Sequence, residues 1–169
     1  MDHTEIAIEL GRNKDVFNQL LKDIEPVQFI WRPQTEKWCL LEILCHLYDE
    51  EREDFRARVR HVLTNPELEM PAIDPQGWVS RRMYMEQDFG QMLEKFLSER
   101  EVSVAYLLSL DNPQWDNTYH HPKLGPMKAS LLLHNWLAHD YLHIRQIVGV
   151  KYKYLRAHCA DPLSYAGDW

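Results

Sequence analysis

Glycine is scarce in this chain, cysteine scarcer still, and no long stretch is free of polar residues. Six glycines among 169 residues leave no glycine-rich phosphate loop and no dinucleotide fingerprint. With proline also missing from long stretches, the chain favours helix over a turn-rich β fold. The three cysteines, Cys39, Cys45 and Cys159, are odd in number and match no paired CxxC pattern. That excludes a disulfide framework and points to a reduced, cytoplasmic setting. The longest mostly apolar run, residues 131–148, is broken by four polar or charged residues and three histidines; it does not read as a membrane span. Residues 1–12 are acidic and lack an apolar segment, so no secretory leader is expected there. Positive charge is short as well: the net charge is −7, which argues against a nucleic-acid partner, since phosphate binding needs clustered Lys and Arg. Arg52, Arg56, Arg58 and Arg60 do cluster, but Asp49, Glu50, Glu51, Glu53 and Asp54 precede or interleave with them. That face neutralises itself.

What is present suits one globular domain, residues 1–169, with 45% hydrophobic and 27% charged residues. Apolar periodicity predicts four helices, over residues 4–22, 37–63, 80–110 and 127–149. Thr35 is the expected N-cap of the second, Asn65-Pro66 its stop, and Gly149 the C′ residue of the fourth. The segment between helices two and three, with Pro66, Pro71, Pro75 and Gly77, reads as a long crossover loop, and residues 115–126 read as irregular. Residues 150–169, carrying Tyr152, Tyr154, Tyr165 and Trp169, are expected to pack over the bundle. The fold class is all-α, a bundle with at least one crossover.

One pair among the nine histidines is spaced i, i+4: His139 and His143. On a helix both rings leave the same face and can grip one ion. They share a stripe with Leu132, Trp136 and Ile147 on a helix apolar around most of its girth, so both rings are expected inside. Two buried imidazoles need partners; a metal supplies them, and hydrogen-bonded core histidines are the plainer alternative. His46 is the best candidate for a third ligand. A helical wheel sets Leu41, Leu44, Tyr48, Phe55, Val59 and Val62 on one side of helix two and His46, with Cys39, Glu42 and Glu50, nearly opposite. Either that second face lines a site or His46 is exposed. In the first case the Leu41/Phe55/Val59 stripe is left for a partner chain, which suggests a dimer. His134, beside Arg145, falls on the polar face of helix four; His120 and His121 precede that helix within reach of the site, surface positions being the plainer reading; His3, His61 and His158 carry no ligand-like spacing.

The segment Trp38-Cys39-Leu40-Leu41-Glu42-Ile43-Leu44-Cys45-His46-Leu47-Tyr48-Asp49-Glu50-Glu51 resembles the second-helix motif of the DinB/YfiT-like superfamily. His139-Asp140-Tyr141-Leu142-His143-Ile144-Arg145-Gln146-Ile147 is similar to its fourth-helix motif. Arg32-Pro33 and Tyr119-His120-His121-Pro122 also follow family usage. The resemblance spans essentially the whole chain. It implies a bundle of up-down-down-up type with the crossover between helices two and three. It also implies one divalent metal, zinc or nickel, on His46, His139 and His143, and a homodimer. Relatives of this kind include thiol-dependent S-transferases.

Three protein ligands with a fourth position open is the arrangement of catalytic zinc. Such a centre lowers the pKa of water, or takes up a substrate thiol as thiolate. Glu50, one turn beyond His46, is the candidate to orient a ligand imidazole or take a proton; a solvated acid on a charged helix is the plainer reading. Gln146 follows His143 on the same face and is a candidate for holding a ligand or substrate. Asp140 occupies the position after the first histidine where some zinc peptidases carry a general base, but it is rotated about 100° off the ligand face; a surface acid is expected. The leading function is a metal-dependent enzyme on a small molecule, a thiol-type S-transferase or a hydrolase. The alternative is a non-catalytic, stress-related binding bundle in which the metal is structural or absent.

Overall fold

The computed structural model describes residues 1–167. The helices are α1 (His3–Leu21), α2 (Pro26–Phe29), α3 (Leu40–Asp49), α4 (Arg56–Thr64), α5 (Pro75–Arg81), α6 (Phe89–Leu108) and α7 (Ala129–His158). A π-helical segment, Glu50–Phe55, joins α3 to α4 without a break. α1 packs along α6 and α7, α3 along α6, and the α3–α4 rod crosses α7. The four expected helical stretches are all there. No helix among the described residues is long and apolar enough to cross a membrane.

Local chemistry sets the ends. Asp2 caps α1: its carboxylate accepts from the Glu5 backbone N–H at 2.8 Å, and Glu5 accepts from that of Asp2. The second long helix begins at Leu40 with Cys39 as its N-cap residue, not at Thr35. Here Glu42 decides the start, accepting the Cys39 backbone N–H at 3.0 Å while Arg32 pairs with its other oxygen at 2.7 Å. The third expected helix is divided. Asp74 caps α5 with Pro75 in its first turn, Met83 takes a left-handed φ of 47° that ends helical continuity, and Asp88 caps α6 through the Gln91 N–H at 2.8 Å.

Residues 115–126, expected to be irregular, contain the first strand of a hairpin. β1 (Thr118–His121) pairs antiparallel with β2 (Gly125–Lys128), Tyr119 opposite Met127. Both of these side chains are buried against the bundle, and Gly125 takes the positive φ of 76° that the turn requires. Gly149 does not end the last helix. α7 runs on to His158, Tyr154 lying edge-on to Trp31 at 5.5 Å; Tyr165, expected to pack over the bundle, is fully exposed, and the expected packing of Trp169 lies outside the described residues.

Along each long helix the buried side chains follow one order: apolar, polar, apolar. On α1, Ile6, Ala7 and Leu10 precede Asn13, and Phe17 and Leu21 follow. On α6, Phe89 to Phe96 precede Arg100 and Ser103, and Leu107 follows. On α7, Leu132 to Leu137 precede Asp140 and His143, and Ile147 and Val150 follow. The rod of α3 and α4 follows this order less strictly: Leu40 to Cys45, with Glu42 buried among them, precede His46, Asp49, Glu50 and Glu51, and Phe55, Val59 and Val62 follow. The apolar residues gather into two separate cores, and the polar ones form a band across the middle.

The π-helical segment explains why one helical wheel fails for this rod. The Arg56 N–H reaches back to the Glu51 carbonyl, five residues away, so one extra residue enters the turn and the phase shifts by about 100°. Phe55 therefore lies on the His46 side, its ring 4.9 Å from that of His139 and 5.9 Å from Trp136. Leu41, Phe55 and Val59 are all buried within their own chain. The stripe expected to be left for a partner is used internally.

Candidate metal centre

Three imidazoles meet in the polar band. A ligand nitrogen from each of His46, His139 and His143 lies within 4.8 Å of the other two. The Nε2 atoms of His139 and His143 face each other at 3.0 Å, the consequence of one helical turn between them. His46 comes from α3, its ring 4.9 Å from His143 and 5.4 Å from His139. Trp38 tilts over the other side of His46 at 4.9 Å, and Phe55 closes the flank of His139. Of the two positions the wheel left open for His46, the inner one is correct: the residue is 8% exposed.

Burial sets the protonation of the trio. It drives His46 down to about 3, the neighbouring His143 adding to the effect. His139 is held at about 2 by burial, then by the other two rings and Arg100. His143 falls to about 4, again through burial, with Gln146 beside it pulling weakly the other way. Neutral imidazoles keep the lone pairs that a cation needs.

Glu50 is not a solvated acid. It is 4% exposed, with Oε1 at 3.8 Å from His46 Nδ1, too long for a hydrogen bond, and neither atom has another partner. Burial and then the adjacent Asp54 push its carboxyl up to about 9, Asp49 adding and Arg58 opposing. Asp140 is not a surface acid either. It is fully buried, about 100° round α7 from His139, taking a 2.7 Å hydrogen bond from Arg100 Nη2 and a 3.0 Å one from Asn13 Nδ2. The reason is that α1 and α6 also pack against this part of the bundle, so the turn away from the ligands leads to the polar cluster of Asn13 and Arg100 instead of water.

That cluster is the part of the site which motif reading misses. Arg100, 1% exposed, bridges Glu51 and Asp140 and donates to the Leu10 carbonyl at 3.1 Å. Trp136 Nε1 adds a 3.0 Å hydrogen bond to Glu51. The signal was available: Arg100 stands four residues after Phe96 on an otherwise apolar stripe, and Asn13 stands between Leu10 and Phe17 in the same way. The other histidines stay apart from the centre. His120 and His134 are exposed, His121 Nδ1 accepts backbone N–H groups of Lys123 and Leu124 in the hairpin turn, and His61 and His158 bond local carbonyls. Cys45 lies off the histidine face, its Sγ near the Tyr84 carbonyl, and Cys39 packs beside Met85.

The donor set fits a divalent cation. Two lone-pair nitrogens 3.0 Å apart match ligands on one ion with bonds of about 2.0–2.1 Å. The unpartnered Nδ1 of His46 and Oε1 of Glu50 are buried polar atoms that the protein alone leaves unsatisfied.

A helical bundle with three imidazoles converging at mid-height, able to hold a metal ion, defines the class. The chain belongs to the DinB superfamily, whose family model matches residues 9–147. Its fold is similar to that of YfiT from Bacillus subtilis, described as "a probable metal-dependent hydrolase with an unusual four-helix bundle topology". The two superpose with a TM-score of 0.79 at 16% identity, covering 90% of this chain and 87% of that one. No curated protein sequence matches the chain significantly.

Proposed function

We propose that this protein is a divalent-metal enzyme acting on a small molecule, with His46, His139 and His143 as the ligands. The observation that carries the reading is the convergence of three neutral, largely enclosed imidazoles with the unpartnered Oε1 of Glu50 beside them. A cation with an open position supplies Lewis-acid activation of a water or a thiol. Glu50 is placed to hold or take up a proton next to His46, and Gln146 to orient His143. Trp38 and Phe55 cover the rings and restrict water. Hydrolysis follows if water is the nucleophile, S-transfer if a low-molecular-weight thiol is. The likeness to YfiT favours testing hydrolysis first. Zinc or nickel, an up-down-down-up helix course, a cytoplasmic homodimer and the absence of a nucleic-acid partner complete this reading.

The test is metal analysis of the purified chain and of His46→Ala and His143→Ala, followed by ester and amide hydrolysis and thiol conjugation to electrophiles, each with and without metal. Stoichiometric metal in the parent, its loss in both variants, and metal-dependent turnover in one assay are expected. Metal retained by both variants removes the ligand assignment. Full occupancy with no turnover in any assay favours a structural metal in a binding bundle.

A further inference from the structure

Beside the histidine centre lies a cavity of about 270 Å³ between the segment before α3 and the C-terminal half of α7. Two of its walls are shared with the centre: Trp38, whose other neighbour is the His46 ring, and Gln146, which adjoins His143. Its rim carries Lys37, Arg145 and Lys153, and no carboxylate lines it. In a chain of net charge −7 that is a local inversion of sign. Some exposed cations elsewhere are paired with acids, Arg81 with Asp74 and Lys128 with Asp116, and others such as Lys22 and Lys123 are not; what sets this place apart is three cations gathered round one cavity. None of the three rim cations has a side-chain partner among the described residues. Gly149 lines this space, and a side chain added there would enter it, since its Cβ would meet nothing within 4 Å.

We propose that this cavity seats an oxyanion group, carboxylate or phosphate, of the small molecule processed at the histidine centre. The shape suits a compact ligand. An apolar wall of Trp38 and Val150 would take the organic part, and the three cations would neutralise the charge at the mouth. Guanidinium and ammonium groups both serve oxyanions, Arg145 through a planar fork and the lysines as point charges. That the anion is a substrate rests on the metal-enzyme reading; that the cavity binds oxyanions does not.

The experiment is calorimetric titration with inorganic phosphate, with succinate and with neutral 1,4-butanediol, at low ionic strength, where charge attraction is least screened. It is run on the chain as isolated and again after chelation, with zinc binding measured separately. At least one oxyanion should bind and butanediol should not; phosphate against succinate tells which source the site prefers. Gly149→Glu and Arg145→Gln should weaken that binding at least about tenfold, with zinc stoichiometry unchanged. Binding of neither oxyanion by the parent, or equal binding in parent and both variants, overturns the proposal. Oxyanion binding that both variants weaken, in a chain that takes up no zinc, sinks the metal reading and leaves the cavity assignment standing.

Discussion

Arg100 meets Glu51 through two parallel hydrogen bonds of 2.9 Å, Nε to Oε1 and Nη2 to Oε2, with both side chains at 2% exposure or less. The same guanidinium holds Asp140, the residue next to a candidate ligand. Removing it leaves two carboxylates buried without their cation. Arg100→Leu should therefore cost about 3–5 kcal/mol, measured as a shift in the urea unfolding midpoint. Arg100→Lys should recover only part, because one ammonium cannot present two parallel donors to each acid. A leucine variant as stable as the parent would show that the bridge contributes nothing.

The metal-free chain should have its stability maximum near pH 6–7. The three histidines are held at about 3, 2 and 4 against an ordinary 6.5. The unfolded chain therefore takes up their protons first, and their contribution is lost as pH falls below 6.5. Glu50 works in the other direction. Raised to about 9 from 4.5, it keeps a proton in the fold, so its contribution is complete below 4.5 and is lost as pH rises towards 9. Between 4.5 and 6.5 three histidines oppose one glutamate, and stability rises with pH. Thermal melts across pH 5 to 9 read this directly. Glu50→Gln should flatten the alkaline limb and leave the acid limb in place.

Tyr84 donates its hydroxyl to Asp49 at 2.6 Å, while Arg82 holds the other oxygen of the same buried acid. Tyr84→Phe removes one of two partners from that carboxylate and should cost about 1.5–3 kcal/mol, again by urea titration. No change would mean that Arg82 alone satisfies Asp49.

Gly149 lies inside α7, in open space for a Cβ. Gly149→Ala should stabilise the chain by about 0.5–1 kcal/mol through helix propensity alone. A loss of stability in thermal unfolding would mean that the position tolerates no side chain.

Much of this was readable from the sequence. The four helical stretches follow from apolar spacing, and the i, i+4 pair of His139 and His143 names two of the three candidate ligands. His46 was not settled by geometry on paper, because a wheel of constant pitch cannot know that an extra residue enters at Glu50–Phe55; only the resemblance selected it. Because charged residues are rarely buried, pattern alone favours the surface for Glu50 and Asp140. Arg100, which holds Asp140, comes from 40 residues away, a separation that local pattern does not reach; Glu50 has its charged neighbours one turn away, and what hides its burial is the change of phase at Glu50–Phe55. The hairpin of Tyr119 and Met127 was hidden by Pro122 and Gly125, which read equally well as loop.

The polar band has a consequence for how the helices find their alignment. A slide of any one helix by a single turn, about 5.4 Å, would bring Asn13, Arg100 or Asp140 opposite an apolar core and strip it of its partners. Charge in the interior thus acts as an index mark, fixing the height at which the imidazoles arrive and rejecting neighbouring registers that purely greasy surfaces would tolerate.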